Sequence, residues 1–204
     1  PLALHPRRHS GPGEVMPGTL SNPSAEAVRS AIDHPIIDAD GHCLEYLPLV
    51  REILRDLAGS AVEDSFWKTF EQMRAVAHTS ARDRRSLAIM RPPWWAFPAE
   101  NTLDRATAML PGLFHSRLDE LGIDFAVVYP TFGLLTFNLP DEEVRRGAAR
   151  AFNNYFTESY GPFSDRLTPV ACIPMHTPEE AIAELDYAVG ERGLKAVLLS
   201  LIHI

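Results

Sequence analysis

Short apolar runs alternate with helical patterns along most of the chain, and this alternation limits its fold more than any other feature. The apolar runs lie at 36–40, 124–131, 167–175 and 194–198. Helical patterns lie at 114–122, 141–160 and 177–190. Strands that alternate with helices form parallel sheets with right-handed crossovers. The sequence therefore predicts an α/β fold, and its first two apolar runs read as buried strands.

Capping residues mark the ends of several helices. Gly122 has the position of a C′ glycine, and Thr102 is placed as an N-cap. The third helix has the clearest start, because Thr177 at the N-cap, Pro178 at the first helical position and Glu180 two residues later form a capping box.

The composition excludes several classes of function. The chain has 19 Lys and Arg against 27 Asp and Glu, a net charge of −8, so it lacks the basic surface of a nucleic-acid-binding protein. No apolar stretch approaches the roughly 18 residues of a membrane span. Two cysteines, Cys43 and Cys172, exclude a disulfide framework and a cysteine-based zinc site. We therefore expect a cytoplasmic protein with a small-molecule partner, and a homo-oligomer stays open.

Both ends of the chain differ from the part between them. Residues 1–33 are predicted to form a disordered or extended leader, in which we expect Met16 to be the natural first residue. Residues 199–204 (LSLIHI) match a translation of the sequencing-transposon end CTGTCTCTTATACACATC, so we expect an adapter-derived tail. The predicted domain is therefore 34–198, with a long helical insertion at 60–115.

The densest polar cluster, Asp38-Ala-Asp40-Gly-His42, ends the first apolar run. In parallel α/β sheets the functional residues lie at the carboxyl ends of the strands. With the two-residue period of a strand, Asp38, Asp40 and His42 point to one side. Two carboxylates and an imidazole together favour a divalent cation, with zinc or manganese matching these ligands. The same residues also suit a strand end that only caps the next helix.

Two other functions fit these residues. An apolar run followed by D-x-D-G resembles the signature of haloacid dehalogenase-like phosphatases, in which Asp38 would be the nucleophile and Asp40 the acid. That family normally has Thr or Val after the glycine, whereas this chain has His42. A non-enzymatic binding module is the third alternative, in which Asp40 would matter only for stability.

Over most of residues 35–198 the chain resembles the amidohydrolase-related metal-dependent family, which includes aminocarboxymuconate-semialdehyde decarboxylase and resorcylate-type decarboxylases. The sequence IDADGH at 37–42, with Glu45, looks like the opening of that family. Further resembling segments follow in order at 101–105, 117–124, 151–154, 165–169, 173–181 and 193–197.

This resemblance implies a (β/α)₈ barrel with a metal at its carboxyl mouth. Because a complete TIM barrel takes about 250 residues, the 204-residue chain would supply only the first four βα units. By the same resemblance Asp40 and His42 are metal ligands, where the family usually has His-x-His, and Asp38 and Glu45 support them. The family's other ligands, a histidine after strand five and an aspartate after strand eight, have no counterpart here.

The implied activity is hydrolysis or non-oxidative decarboxylation of a small, carboxylate-bearing substrate, with zinc or manganese as the cofactor. Trp94 and Trp95 are candidates for a lid that stacks on an aromatic substrate. His176, after the third strand, is another candidate for substrate binding, although a role at the start of the next helix is the simpler interpretation. Glu45 could instead stabilise the N-terminus of the next helix, because a negative charge is favourable there. The chain by itself is predicted to bind metal weakly and to be inactive.

The long helix at 141–160 carries polar residues whose places are also predicted. Arg145, Arg146 and Arg150 are expected on a solvated face. Asn153 is expected to fix a loop rather than to bind substrate.

Overall fold

Four parallel strands form one sheet, and their order in space follows their order along the chain. The computed structural model describes residues 24–77, 79–86 and 101–199. The described strands are β1 (Ile37–His42), β2 (Phe125–Tyr129), β3 (Leu167–Ile173) and β4 (Ala196–Leu199). Each is paired in parallel with the next, in the order β1–β2–β3–β4. The sheet curls like half of a barrel, which confirms the α/β prediction.

Helices fill the connections between the strands. The described helices are α1 (Ala25–Ser30), α2 (Leu47–Ala58), α3 (Ser60–Ala77), α4 (Ala81–Ser86), α5 (Thr102–Met109), α6 (Pro111–Leu121), α7 (Glu142–Tyr160) and α8 (Pro178–Leu185). Short 3₁₀ segments (Gly133–Asn138 and Gly161–Phe163) follow β2 and α7, and a π-helical segment (Asp186–Glu191) extends α8. None of the helices that the structure describes is long and apolar enough to cross a membrane.

Two of the three predicted capping residues, Gly122 and Thr177, lie where the sequence places them. Gly122 adopts a left-handed conformation (φ 74°) directly after α6, and Thr177 accepts a main-chain N–H from the first turn of α8. One cap is displaced by a residue. Asn101, not Thr102, caps α5, because the Asn101 side-chain oxygen accepts the Asp104 N–H at 3.1 Å. Asparagine is at least as good an N-cap as threonine.

β1 and β2 are less buried than their apolar runs predict. Ile37 in β1 is 61% exposed, and in β2 only Ala126 and Val128 are buried. The register pairs Ile37 with Phe125, so both lie on one face of the sheet, opposite to the face on which Ala126 and Val128 are buried. The prediction of buried strands was wrong for both: β1 is an edge strand of the described sheet and none of its residues is buried, and the inner strand β2 is buried on one face only.

Arg145 is buried, so the prediction that it lies on a solvated face was wrong. It is 4% exposed, and its Nε and Nη2 atoms donate to the Glu180 carboxylate at 2.8 and 2.9 Å. Arg146 and Arg150 keep more exposed side chains, at 53% and 36%. The Glu180 carboxylate joins α8 to α7 through this ion pair, whereas a capping box would turn it back toward Thr177.

Asn153 fixes a strand, where the sequence predicted a loop. Its side chain is fully buried; its Oδ1 accepts the Cys172 N–H at 2.7 Å and its Nδ2 donates to the Cys172 carbonyl at 3.0 Å. The pairing of β2 with β3 ends at Pro169. The Asn153 amide therefore takes the place of β2 beside Cys172, whereas β4 pairs with the other edge of β3.

The segment predicted as an unstructured leader contains α1. Ser24 caps this helix, and Arg29 pairs with Asp124 at 2.9 Å, which attaches the helix to the start of β2. Residues 1–23 of the predicted leader with Met16, residues 200–204 of the predicted tail at 199–204, and Trp94 and Trp95 of the predicted lid lie outside the described residues.

Candidate functional site

A bulge interrupts β1 just before its carboxyl end. Asp38 pairs with Ala126, but Gly41, three residues later, pairs with Val128, which is only two residues later. A bulge of this kind moves the side chains that follow it to the other face of the sheet. Asp38 and His42 therefore lie on opposite sides, and the prediction that the polar residues of this strand share one side was wrong. The two-residue alternation holds only in an uninterrupted strand.

Asp38 is part of the bulge. Its Oδ1 accepts the Asp40 N–H at 3.0 Å, and its Oδ2 lies 2.9 Å from where a Cβ on residue 41 would be. A side chain at Gly41 would collide with this carboxylate. Asp38 thus shapes the main chain that carries Asp40, whose own side chain is exposed.

His42 is anchored to the end of β2 by its ring. The His42 Nδ1 lies 2.6 Å from the Pro130 carbonyl oxygen, and the ring is 5.8 Å from that of Tyr129. A carbonyl oxygen only accepts hydrogen bonds, so Nδ1 carries the proton and the Nε2 atom of the neutral ring carries the lone pair. This is the tautomer in which a histidine ligates a metal through Nε2 or acts as a base there.

Glu45 is the most deeply buried charged group next to β1, at 1% exposure. Its carboxylate accepts main-chain N–H groups of Thr131, Phe132 and Gly133, with the shortest distances 3.1, 2.9 and 2.9 Å. It therefore binds the loop after β2 rather than capping the helix that begins at Leu47. Burial raises the pKa of Glu45 to about 7, although the N–H donors of this loop act in the opposite direction.

Glu45 gives the stability of the protein a pH dependence. In the folded protein the Glu45 carboxyl group has a pKa of about 7, against 4.5 for an ordinary glutamate. The Glu45 contribution to the free energy of unfolding therefore falls as the pH rises from about 4.5 through about 7. We expect a loss on the order of 3 kcal/mol across this window. Denaturant unfolding of the wild type and Glu45→Gln at pH 4.5–8 measures it. Equal pH slopes in the two proteins would contradict the assignment.

A cavity of about 220 Å³ lies beside the end of β1, between this strand and helices α5 and α6. Gly41 and His42 line it on one side and Arg117 on the other. The Arg117 guanidinium already pairs with Asp104 at 3.1 Å and Glu120 at 2.7 Å, so its charge is compensated within the protein. A larger cavity of about 530 Å³ between α2, α7 and α8 has no lining residue from β1.

The metal ligands predicted from the sequence are placed at the carboxyl end of β1, where Asp40 is exposed and His42 half-buried. Among the residues that the structure describes, no group of three or more His, Cys, Asp or Glu is arranged to hold a metal ion. Structural and catalytic zinc sites have at least three protein ligands. The described residues thus fit only part of a metal site, and on their own they fit a weakly held ion.

Of the residues predicted to bind substrate, the structure describes His176 but not Trp94 and Trp95. His176 is exposed and directly precedes the cap residue Thr177, at the same carboxyl edge of the sheet as His42.

The sequence did not predict the role of the Pro130 carbonyl, because main-chain groups leave no residue-type signal. Only the position of Pro130 at the end of the second apolar run pointed to it.

No protein-family model matches the chain, and no curated protein matches it significantly. The functional conclusion therefore rests on the sheet topology and on the carboxyl end of β1.

Proposed function

We propose that the chain supplies the first four βα units of a metal-dependent (β/α)₈ barrel enzyme of the amidohydrolase-related family. The activity proposed is hydrolysis or non-oxidative decarboxylation of a small, carboxylate-bearing substrate. The observation that carries the proposal is the place of His42, at the carboxyl end of β1 with its Nδ1 bonded to a main-chain carbonyl.

The strand order supports the barrel. In a (β/α)₈ barrel every strand pairs with the next one along the chain, as the four strands do here. In a doubly wound sheet the strand order reverses at a switch point, where the ligand binds. The described strands contain no such reversal, so the alternative phosphatase function of Asp38 and Asp40 has less support. Asp38 is also committed to the main chain of the bulge.

Asp40 and His42 are the residues proposed to hold a zinc or manganese ion. The exposed Asp40 would contribute a carboxylate oxygen and His42 its Nε2 atom. When bound, such an ion supplies a Lewis acid for a substrate carboxylate or carbonyl group. The Pro130 carbonyl keeps the His42 ring in the tautomer that this role requires.

Zinc titration of the full chain tests the proposal. We expect weak binding to the wild type, reduced about tenfold or more in His42→Ala and in Asp40→Ala, because each substitution removes one ligand. His115→Ala is the matched control, since His115 lies on α6 and its ring pairs with Asp165, away from the carboxyl end of β1. Isothermal titration calorimetry of the wild type and the three variants measures their zinc affinities.

Two results would contradict the proposal. Equal zinc affinities in the wild type and in both site variants would remove Asp40 and His42 as ligands. A change in stability alone, with no zinc binding by the wild type at millimolar metal, would favour the binding-module alternative.

A further inference from the structure

One peptide group lies between Glu45 and His42. The Pro130–Thr131 peptide accepts from His42 Nδ1 at its carbonyl oxygen, at 2.6 Å. The N–H of the same peptide donates to the Glu45 carboxylate at 3.1 Å. In a trans peptide the C=O and N–H point in opposite directions, so His42 and Glu45 bind opposite sides of this peptide group.

The loop that carries this peptide has little freedom to shift. Glu45 also accepts the next two N–H groups, of Phe132 and Gly133, both at 2.9 Å. A Cβ on Gly133 would be 2.9 Å from Cys172 Sγ and 3.3 Å from Glu45 Oε1, so the loop is packed tightly against both residues. A change in the Glu45 carboxylate is therefore transmitted to the orientation of the Pro130 carbonyl.

We propose that Glu45 is a positioning residue for His42, which fixes the ring orientation and the Nδ1–H tautomer of His42 through the Pro130–Thr131 peptide. The negative charge at the N–H end polarises the peptide and makes the Pro130 oxygen a stronger acceptor. A carboxylate thus acts on the imidazole as a hydrogen-bonded carboxylate does in many metal sites, but with one peptide group between them. The importance of this tautomer for metal binding rests on the proposed function, whereas the tautomer itself does not.

Nitrogen-15 NMR of the histidine-labelled full chain at pH 8 tests the inference. Long-range proton–nitrogen correlations distinguish the two neutral tautomers, and loss of the signal in His42→Ala assigns it. We expect the Nδ1–H form in the wild type and a ratio of Nδ1–H to Nε2–H about fivefold lower in Glu45→Gln, because the peptide loses its charged partner. Glu45→Asp, with a shorter carboxylate, should give an intermediate ratio about twofold lower.

Glu63→Gln is the matched control. Glu63 is as buried as Glu45, at 2% exposure, but it pairs with Arg51 and Arg55 between α2 and α3. It should lose stability and leave the His42 ratio unchanged.

The outcomes separate this inference from the proposed function. An unchanged ratio in Glu45→Gln, or an equal fall in Glu63→Gln, overturns the inference. If Glu45→Gln does not fold, a wild-type His42 in the Nε2–H form or an unchanged ratio in Glu45→Asp overturns it. A wild type that holds the Nδ1–H form, responds to both Glu45 variants and binds no zinc supports the inference and removes the proposed function.

Discussion

Replacing Arg145 by alanine should lower the free energy of unfolding by about 3–5 kcal/mol. The side chain of Arg145 is 5% exposed and that of Glu180 is 2% exposed, with bidentate contacts at 2.8 and 2.9 Å. Arg145 also donates to the Leu139 carbonyl at 2.8 Å. The substitution leaves the Glu180 carboxylate buried without its counter-ion and this carbonyl without its donor. Urea unfolding followed by circular dichroism measures the loss.

Arg146→Ala is the control for this prediction. Arg146 is the next residue of the same helix, but its pair with Glu142 is exposed at both partners, so we expect a loss of about 0.5 kcal/mol or less. The double variant Arg145→Met with Glu180→Leu removes both charges and should recover much of the loss. A loss below about 1 kcal/mol in Arg145→Ala would show that the ion pair is not buried in solution.

Replacing Asn153 by alanine should cost about 3–4 kcal/mol. Three hydrogen bonds of a fully buried side chain are lost, two to the main chain of Cys172 and one to Glu184 at 2.8 Å. Each buried polar group left without a partner costs about 1–3 kcal/mol. The expected result is a large drop in the urea midpoint, with faster amide exchange at Cys172.

Asn154→Ala separates this effect from the loss of a buried asparagine in general. Asn154 is adjacent on the same helix and 7% exposed, but its Oδ1 accepts the Tyr187 hydroxyl, at 2.7 Å, in place of a main-chain group of β3. We expect a loss of about 1 kcal/mol. Similar losses in the two variants would contradict the role of Asn153 as a substitute for a neighbouring strand.

The alternation of apolar runs and helical patterns was enough to predict the α/β fold, because periodicity is a property of the residues themselves. The sequence could not predict which arginine of α7 is buried. Arg145 and Arg146 are adjacent and chemically identical, and only the position of Glu180 on another helix distinguishes them. The sequence also could not predict the exposure of β1, because this depends on which strands lie beside it.

For the candidate site, the sequence located the residues but not their geometry. Asp40, His42 and Glu45 were singled out from one short segment, and all lie at the carboxyl end of β1. The bulge that places Asp38 on the other side depends on the register with β2, which is a long-range property. The contacts of Glu45 and His42 with the loop after β2 join residues 86–88 positions apart, and main-chain partners carry no residue-type signal.

The most direct test of the central claim is to locate a bound metal. Crystals of the full chain soaked in millimolar zinc, measured at the zinc absorption edge, would show its position by anomalous scattering. We expect a peak about 2.0–2.2 Å from His42 Nε2 and from a carboxylate oxygen of Asp40, and no peak there in His42→Ala. Zinc bound only at other histidines, with the end of β1 vacant at the same concentration, would contradict the account.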